Sequence, residues 1–563
     1  MLKVGLDFGS TYTTVSVYRE DTQVLEALLM NQNSPYVPSV VSVFRNKYEF
    51  GRAAKRLTGK KEAQVFKGFK MMLTQSDLKE LERRGFSEEY MPERVAGIFI
   101  ENLLRQVLKD CHEERIDRLV VGVPEIWSED MSTIDGRTMI RDICQKMDFI
   151  DPEGVQVVSE PAAASAFFAY NFQVSTGNCF EGKILLIDYG GGTLDITLTD
   201  VAAKTDEAGE KSVEIKVDKR TGAGENENGQ IGQAGIVYME SVVREAIRQA
   251  GILEEEEEIA CDGKFLKAVD MLEEELQDRT DILEETFEEY GIDYPEDLEE
   301  EFTTLEYKGE DVPVTFRMLL EVYNDTIRSV FEEKLDEMIQ YMRDNSINYE
   351  ERNLDNFKIA LVGGFGNFYL VKKQVWDKFS FSAFDKRQQN IILNRADCEK
   401  AISLGAALLA AGVISIRNTA PYSIGLCVKD VDGQVLLNYA FRYKQDIEFG
   451  TTYFAMGEDQ KPFVIFTSSG GFSKFIINKR EADQTALIVP VKEEFREKLS
   501  NVIQNEYGTA VVGFSLDTSE VVSIHVHEFD LFNEEMDPQG HKIELTRFKD
   551  LFDSTRVEKA VKE

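Results

Sequence analysis

Two stretches of the chain carry the same alternation of apolar and polar positions. VGLDFGSTYTTVSV (4–17) and LLIDYGGGTLDITL (185–198) each run from an apolar strand through Asp-aromatic-Gly into a turn of Gly, Ser or Thr, then into an alternating strand. Asp7 and Asp188 fall at the same place in the two. Alternation at Val15 and Val17, and at Ile196 and Leu198, predicts hairpins with one face buried. An internal repeat of this kind predicts two similar lobes facing a cleft.

Other segments follow different periods. LVVGVPEIWSED (119–130) reads as a buried strand ending at Val123-Pro124. VQVVSEPAAASAFFAY (155–170) reads as a strand, then Glu160-Pro161, then an Ala-rich helix with proline in its first turn. KIALVGGFGNFYLVKKQV (358–375) predicts a strand, a Gly-Gly turn and a helix; KAISLGAALLAAG (400–412) predicts a small-residue helix that packs closely. In the acidic stretch 235–341, Val269, Leu272, Leu276, Leu283 and Phe287 recur at helical spacing and predict one buried face. The charged face opposite is either solvated or a docking surface for a basic partner. After Ile416, GLCVKDV, QVLLNYAF, PFVIFTSS, KFIINKR, AVVGFSL and VVSIHVHEF predict strands. Phe495, Leu499, Val502 and Ile503 predict an inserted helix, and one short charged helix is expected at the end.

Composition narrows the function classes. A chain of 563 residues is too long for one compact unit, and at ~100–200 residues per domain it suggests roughly three to five lobes. Hydrophobic residues at 43% exclude global disorder. The 64 Lys and Arg against 102 Asp and Glu leave a net charge of −38, which repels phosphate backbones and argues against a nucleic-acid partner. The six cysteines include no Cys-x-x-Cys pair, which argues against a zinc or disulfide scaffold and for a reducing compartment. MLKVGLDFGS has no signal-peptide core, and Leu404–Ile416 is too short to span a bilayer, so a cytoplasmic protein with no membrane partner is expected. His525 and His527 share a strand face with no third ligand nearby, so no metal is expected there.

The repeated hairpin has a specific chemistry. Turn residues without large side chains let backbone N–H groups approach an anion closely. An Asp at the strand end beside a phosphate makes sense with a hydrated Mg²⁺ between them, because Mg²⁺ keeps waters and binds through few carboxylates. No Walker-type G-x-x-x-x-G-K-[ST] and no strand-turn-helix G-x-G-x-x-G occurs.

In this order the segments resemble the actin-like ATPase superfamily, and within it the heat-shock-70 (DnaK-type) chaperones. The resemblance covers residues 1 to about 415. It implies an α/β fold: a two-lobed actin-like ATPase, followed by a β-rich C-terminal domain with an inserted helix. The implied domains are 1–415 (lobe I about 1–182, lobe II about 183–396, closing helix 397–415) and 416–563, a shortened substrate-binding domain without the family's helical lid. Asp7 and Asp188 resemble the acids that hold Mg²⁺ through water. Gly9, Ser10, Thr11 and Tyr12, and Gly190, Gly191, Gly192 and Thr193, resemble the two phosphate loops. Lys70, in VFKGFKMML (65–73), resembles the lysine at the γ-phosphate, with Lys67 its competitor one turn away. Glu160 resembles the carboxylate near Mg²⁺ and the attacking water, Asp195 a second acid at that end, and Thr193 the hydroxyl on the γ-phosphate. Gly363 and Gly364 resemble the adenosine-binding turn. The implied cofactors are ATP or ADP with Mg²⁺, the implied reaction Mg²⁺-dependent hydrolysis of ATP to ADP and phosphate, and the implied partners a client polypeptide and a co-chaperone.

The adenine clamp departs from the family's pattern. Glu275 and Arg279 fit, but Asp278 and Ile282 stand where a lysine and a serine are usual. Phe365 and Asn367 replace Ser and Arg after the Gly-Gly turn, and Phe365 either stacks on the base or fills the core. Base recognition is therefore expected to be poorer than phosphate recognition. The family's leucine-rich acidic linker is absent, with only Ser415 to Asn418 in its place. Two other readings are an actin-like filament former or regulatory ATP-binding protein, and a kinase on the same fold.

Overall fold

A computed structural model describes residues 1–30, 33–75, 77–128, 135–205, 211–223, 234–252, 263–291, 298–349, 356–379, 391–392, 398–417, 419–429, 435–457, 459–466, 474–478, 487–493, 496–497, 501–544 and 558–559. The chain divides into two compact units, one of residues 1–125 and 143–416, the other of residues 126–142 and 417–563.

Both repeats in the first unit are hairpins. Lys3–Asp7 pairs antiparallel with Tyr12–Arg19, placing Asp7 opposite Thr14. Gly182–Tyr189 pairs with Leu194–Thr205, placing Asp188 opposite Asp195. Each hairpin continues into a parallel neighbour: Lys3–Asp7 lies beside Arg118–Val123, and Gly182–Tyr189 beside Phe357–Val362. The first sheet runs Val24–Ala27, Tyr12–Arg19, Lys3–Asp7, Arg118–Val123, Val155–Ser159. The second runs Ile391–Ile392, Phe357–Val362, Gly182–Tyr189, Leu194–Thr205, Lys211–Ala223, Ile414–Ile416. The mixed α/β architecture that the resemblance implies is present.

Two helices built from small residues bring these sheets close. In Glu160–Thr176, Pro161 sits in the first turn and the Ser159 hydroxyl accepts from Ala162 N–H, a conventional N-cap. Helix Ala401–Ala411 packs against it so closely that a Cβ on Gly405 would lie 1.7 Å from the Ala163 carbonyl oxygen. The Ser16 and Ser403 hydroxyls, 2.8 Å apart, satisfy each other where that helix meets the first hairpin.

The acidic region folds on one buried face. Phe265, Leu272, Leu283 and Phe287 join the core of the second sheet, with Val269 and Leu276 partly buried against it. It is two helices, Gly263–Asp278 and Thr280–Tyr290, broken at Arg279.

The second unit holds two β-sheets around a shared core that includes Leu426, Phe441, Val512, Phe514 and Ile524. Each of the six predicted strand runs contains a strand among its described residues. The helix expected from Phe495 and Leu499 lies outside the described residues; Val502 and Ile503 pack on the core. Most of the expected terminal helix is also outside them, and Glu558–Lys559 forms a strand against Leu487 and Ile488. Ile126–Asp142 belongs here through two arginines. Arg137 Nε donates to the Ser519 carbonyl and its guanidinium pairs with Glu520, and Arg141 pairs with Asp517 at 2.6 Å.

Candidate functional site

A cavity of about 670 Å³ in the first unit is lined by both hairpin turns. The Gly190 N–H donates to the Thr193 carbonyl, and the carbonyls of Gly190 and Gly191 accept from Gly235 and Ile236 at the start of helix Gly235–Gln249. The two turns meet. A Cβ on Gly191 would lie 2.3 Å from the Thr11 hydroxyl oxygen, and one on Gly192 2.4 Å from the Met71 sulfur. Only glycine allows that approach. Gly9, Ser10, Thr11 and Tyr12 line one side, and Gly190 to Thr193 the other.

The acids and the lysine converge beneath these turns. Lys70, 3% exposed, precedes the short helical turn Met71–Leu73 and puts its Nζ 2.5 Å from Glu160 Oε1. Glu160, 5% exposed, is the first residue of its helix. Asp7, Asp188, Lys70 and Glu160 all line the cavity. Burial, reinforced by Glu160 and only partly offset by Lys70, pushes the Asp7 carboxyl up to about 7. Burial raises Asp188 well above the usual carboxylate range too, with Glu160, Asp195 and Asp7 adding to it. Asp188 Oδ2 is buried without a hydrogen-bond partner. Negative charge is concentrated here beyond what one lysine neutralises.

The remaining sequence-derived residues divide. Lys67 pairs with Asp270, so Lys70 is the lysine of its segment inside the cavity. Asp195, across the hairpin from Asp188, is buried but not part of the lining. Gly363, at φ +82, packs where a Cβ would lie 2.5 Å from Asp188 Oδ1, and Gly364 and Phe365 follow it along the wall. Phe365 lines the cavity and packs in an aromatic cluster with Tyr189, Tyr238 and Phe368. Glu275 and Arg279 do not line the cavity. Arg279 donates to the Phe302 carbonyl, stacks over the Phe302 ring and lies 3.6 Å from Glu275, a partner set supplied by the helix break at that residue.

One network was missed by sequence reasoning. Lys55 Nζ lies 2.7 Å from Glu273 Oε2, and Tyr12 hydrogen-bonds both Lys55 and Gln277. Although burial opposes its charge, Glu273, Tyr12 and Asp270 together raise the Lys55 pKa. The available signal was three acids, Asp270, Glu273 and Glu274, at helical spacing on one face.

The family described as Hsp70 protein matches residues 3–207. Heat shock 70 kDa protein from Ajellomyces capsulatus is 25% identical over 228 residues, which cover 35% of this chain and 29% of that protein. Chaperone protein DnaK from Mycoplasmoides gallisepticum is 27% identical over 204 residues, 36% of this chain and 32% of that protein. Heat shock cognate 70 kDa protein 3 from Dictyostelium discoideum is 24% identical over 228 residues, 36% and 34% respectively. The chain thus spans about a third of the length of these curated relatives. Paired hairpins over a shared cleft define an actin-like ATPase fold. Within that class the chain is similar to the Hsp70 family over residues 3–207.

Proposed function

We propose that the cleft binds ATP or ADP with Mg²⁺ and hydrolyses ATP. The observation that carries this is the buried Lys70–Glu160 pair set with Asp7 and Asp188 beneath two touching glycine turns. The residues fit the ion: the partnerless Asp188 Oδ2 and the raised Asp7 mark surplus negative charge that a hydrated divalent cation neutralises. Bound there, Mg²⁺ would offset phosphate charge and orient the triphosphate. The Gly9–Tyr12 and Gly190–Thr193 turns offer backbone N–H groups to phosphate oxygens, and Thr193 offers its hydroxyl. Lys70 balances charge that develops on the transferred phosphoryl group. Glu160 orients the attacking water and Asp195 supports the acid cluster from behind.

The domain reading stays with this proposal: an ATPase of residues 1–415 in two lobes, about 1–182 and 183–396, with a closing helix 397–415, and a client-binding region of 416–563. In this reading the protein is a chaperone of the cytoplasm that binds exposed client polypeptide, works with a co-chaperone, and couples nucleotide state weakly to client affinity. Among the described residues no helix is long and apolar enough to cross a membrane. Calorimetry and phosphate release on wild type, Asp7→Ala and Asp188→Ala test the site. Both variants should lose Mg²⁺-dependent affinity and turnover. Hydrolysis at the wild-type rate in both would overturn the assignment.

A further inference from the structure

Two side chains outside the cavity lining form a buried ion pair from one sheet to the other. Glu125 follows strand Arg118–Val123 of the first sheet, and Arg220 lies in strand Lys211–Ala223 of the second; both belong to the same compact unit. Their side chains are 2% and 8% exposed, and the Arg220 guanidinium comes within 2.9 Å of Glu125 Oε1. Among the described residues, neither Glu125 oxygen accepts a hydrogen bond of good geometry. Attraction to the arginine is therefore what balances this buried charge.

Register sets the pair beside the acids. In the second sheet Asp188 stands opposite Asp195, Asp195 opposite Gly222 and Thr197 opposite Arg220, so Arg220 projects from the face that carries both acids. In the first sheet Asp7 pairs with Gly122 and Ser159 with Val123, so Glu125 leaves the same strand ends as Asp7 and Glu160. The acids repel from sheet to sheet: Glu160 raises Asp188 as well as Asp7, and Asp7 raises Asp188. Unopposed, that repulsion drives the two sheets apart. Arg220 is a cation of the second sheet held by an anion of the first, so its attraction acts in the opposite sense.

We infer that Glu125 and Arg220 are positioning residues that hold the two sheets in the nucleotide-competent arrangement before nucleotide arrives. This deepens the nucleotide reading above and rests on it. Without the pair, a smaller fraction of the free protein keeps Asp7 and Asp188 at the spacing a hydrated cation bridges, and apparent affinity falls by that fraction. With nucleotide bound, the acids of both sheets share a cation, so turnover at saturation changes little.

The test is the calorimetric Kd for Mg²⁺-ATP, with kcat and melting temperature, in wild type, Arg220→Lys, Arg220→Gln and the double variant Glu125→Gln/Arg220→Gln. The double variant leaves no lone buried charge, so it decides the matter even where Arg220→Gln alone does not fold. A competent fraction reduced to about a tenth raises Kd in the double variant about tenfold, with kcat at saturating ATP within about threefold of wild type. Arg220→Lys keeps a cation opposite Glu125 and should bind within about threefold of wild type. A folded double variant with wild-type Kd overturns the inference, whatever its kcat, and leaves the phosphate site standing. A double variant that does not fold overturns it as well, because the pair would then hold the fold and not the site. Wild type that binds no Mg²⁺-ATP overturns the nucleotide reading together with this one.

Discussion

Lys70 and Lys67 stand three residues apart, and packing separates their roles. Lys67 is held by Asp270, while Lys70 is buried against Glu160 inside the cavity. Lys70→Ala should leave nucleotide affinity within a few-fold and lower kcat by about a hundredfold or more, because its charge matters most in the transition state. A Lys67→Ala variant with that phenotype, beside an active Lys70→Ala, would reverse the assignment. Asp7 gives a pH prediction. Its folded pKa of about 7 lies above the ordinary 3.8, so between those values the folded protein holds a proton that the unfolded chain has released. Without Mg²⁺ or nucleotide, stability from this group therefore falls as pH rises through that window. Melting curves from pH 5 to 8 should show the decline, and Asp7→Asn should flatten it. Mg²⁺-nucleotide affinity should run the opposite way and strengthen up to about pH 7, since the ion needs the carboxylate ionised. A wild-type melting temperature that rises over the same range would contradict the buried-acid account.

At the level of elements, close approach is enforced by glycine, and it has a sign. Gly405→Ala puts a Cβ within 1.7 Å of the Ala163 carbonyl oxygen, backbone against backbone, with no flexible side chain to yield. It should destabilise by at least ~1–3 kcal/mol. Gly97, inside helix Pro92–Cys111, meets only the Ile143 side chain at 3.8 Å, so Gly97→Ala should stabilise by up to ~1 kcal/mol through helix propensity. Urea melts of the two variants should move in opposite directions. These elements also mark what the sequence reveals. The paired hairpins, the Ala-rich helices and the C-terminal strands were legible because each is a local pattern of period 2 or 3.6. Tertiary facts were not. The helix break at Arg279 turned the expected base-clamping residue toward the Phe302 carbonyl, and nothing local to the Glu275–Arg279 spacing records that. Likewise Lys55 meets Glu273 across 218 positions of sequence, a separation no periodicity spans.

At the level of the whole molecule, the proposed function requires nucleotide state to reach a client through the connection between the cleft-bearing unit and the C-terminal sheets. Ile414–Ile416 is a strand, paired in parallel with Val213–Ile215 at the edge of the second sheet, so Ser415 and Ile416 of the connecting stretch lie in that sheet. The chain also passes from one compact unit to the other at 125/126 and 142/143 as well as at 416/417. Allostery requires two global states in which nucleotide makes different contacts. The proposed coupling has no long single tether to work through: Ser415 and Ile416 pair in a sheet, and the chain crosses between the units three times. Coupling should therefore sit at the low end of roughly 1–3 kcal/mol. The measurement is the affinity of an unfolded model polypeptide, and of a basic peptide, with ATP, with ADP and with neither. A change of no more than about tenfold between ATP and ADP is expected, because tenfold corresponds to ~1.4 kcal/mol. A hundredfold change would require a released state that these connections do not suggest. Binding of neither polypeptide in any nucleotide state would transfer the proposal from client binding to a regulatory or filament-forming role for the same ATPase.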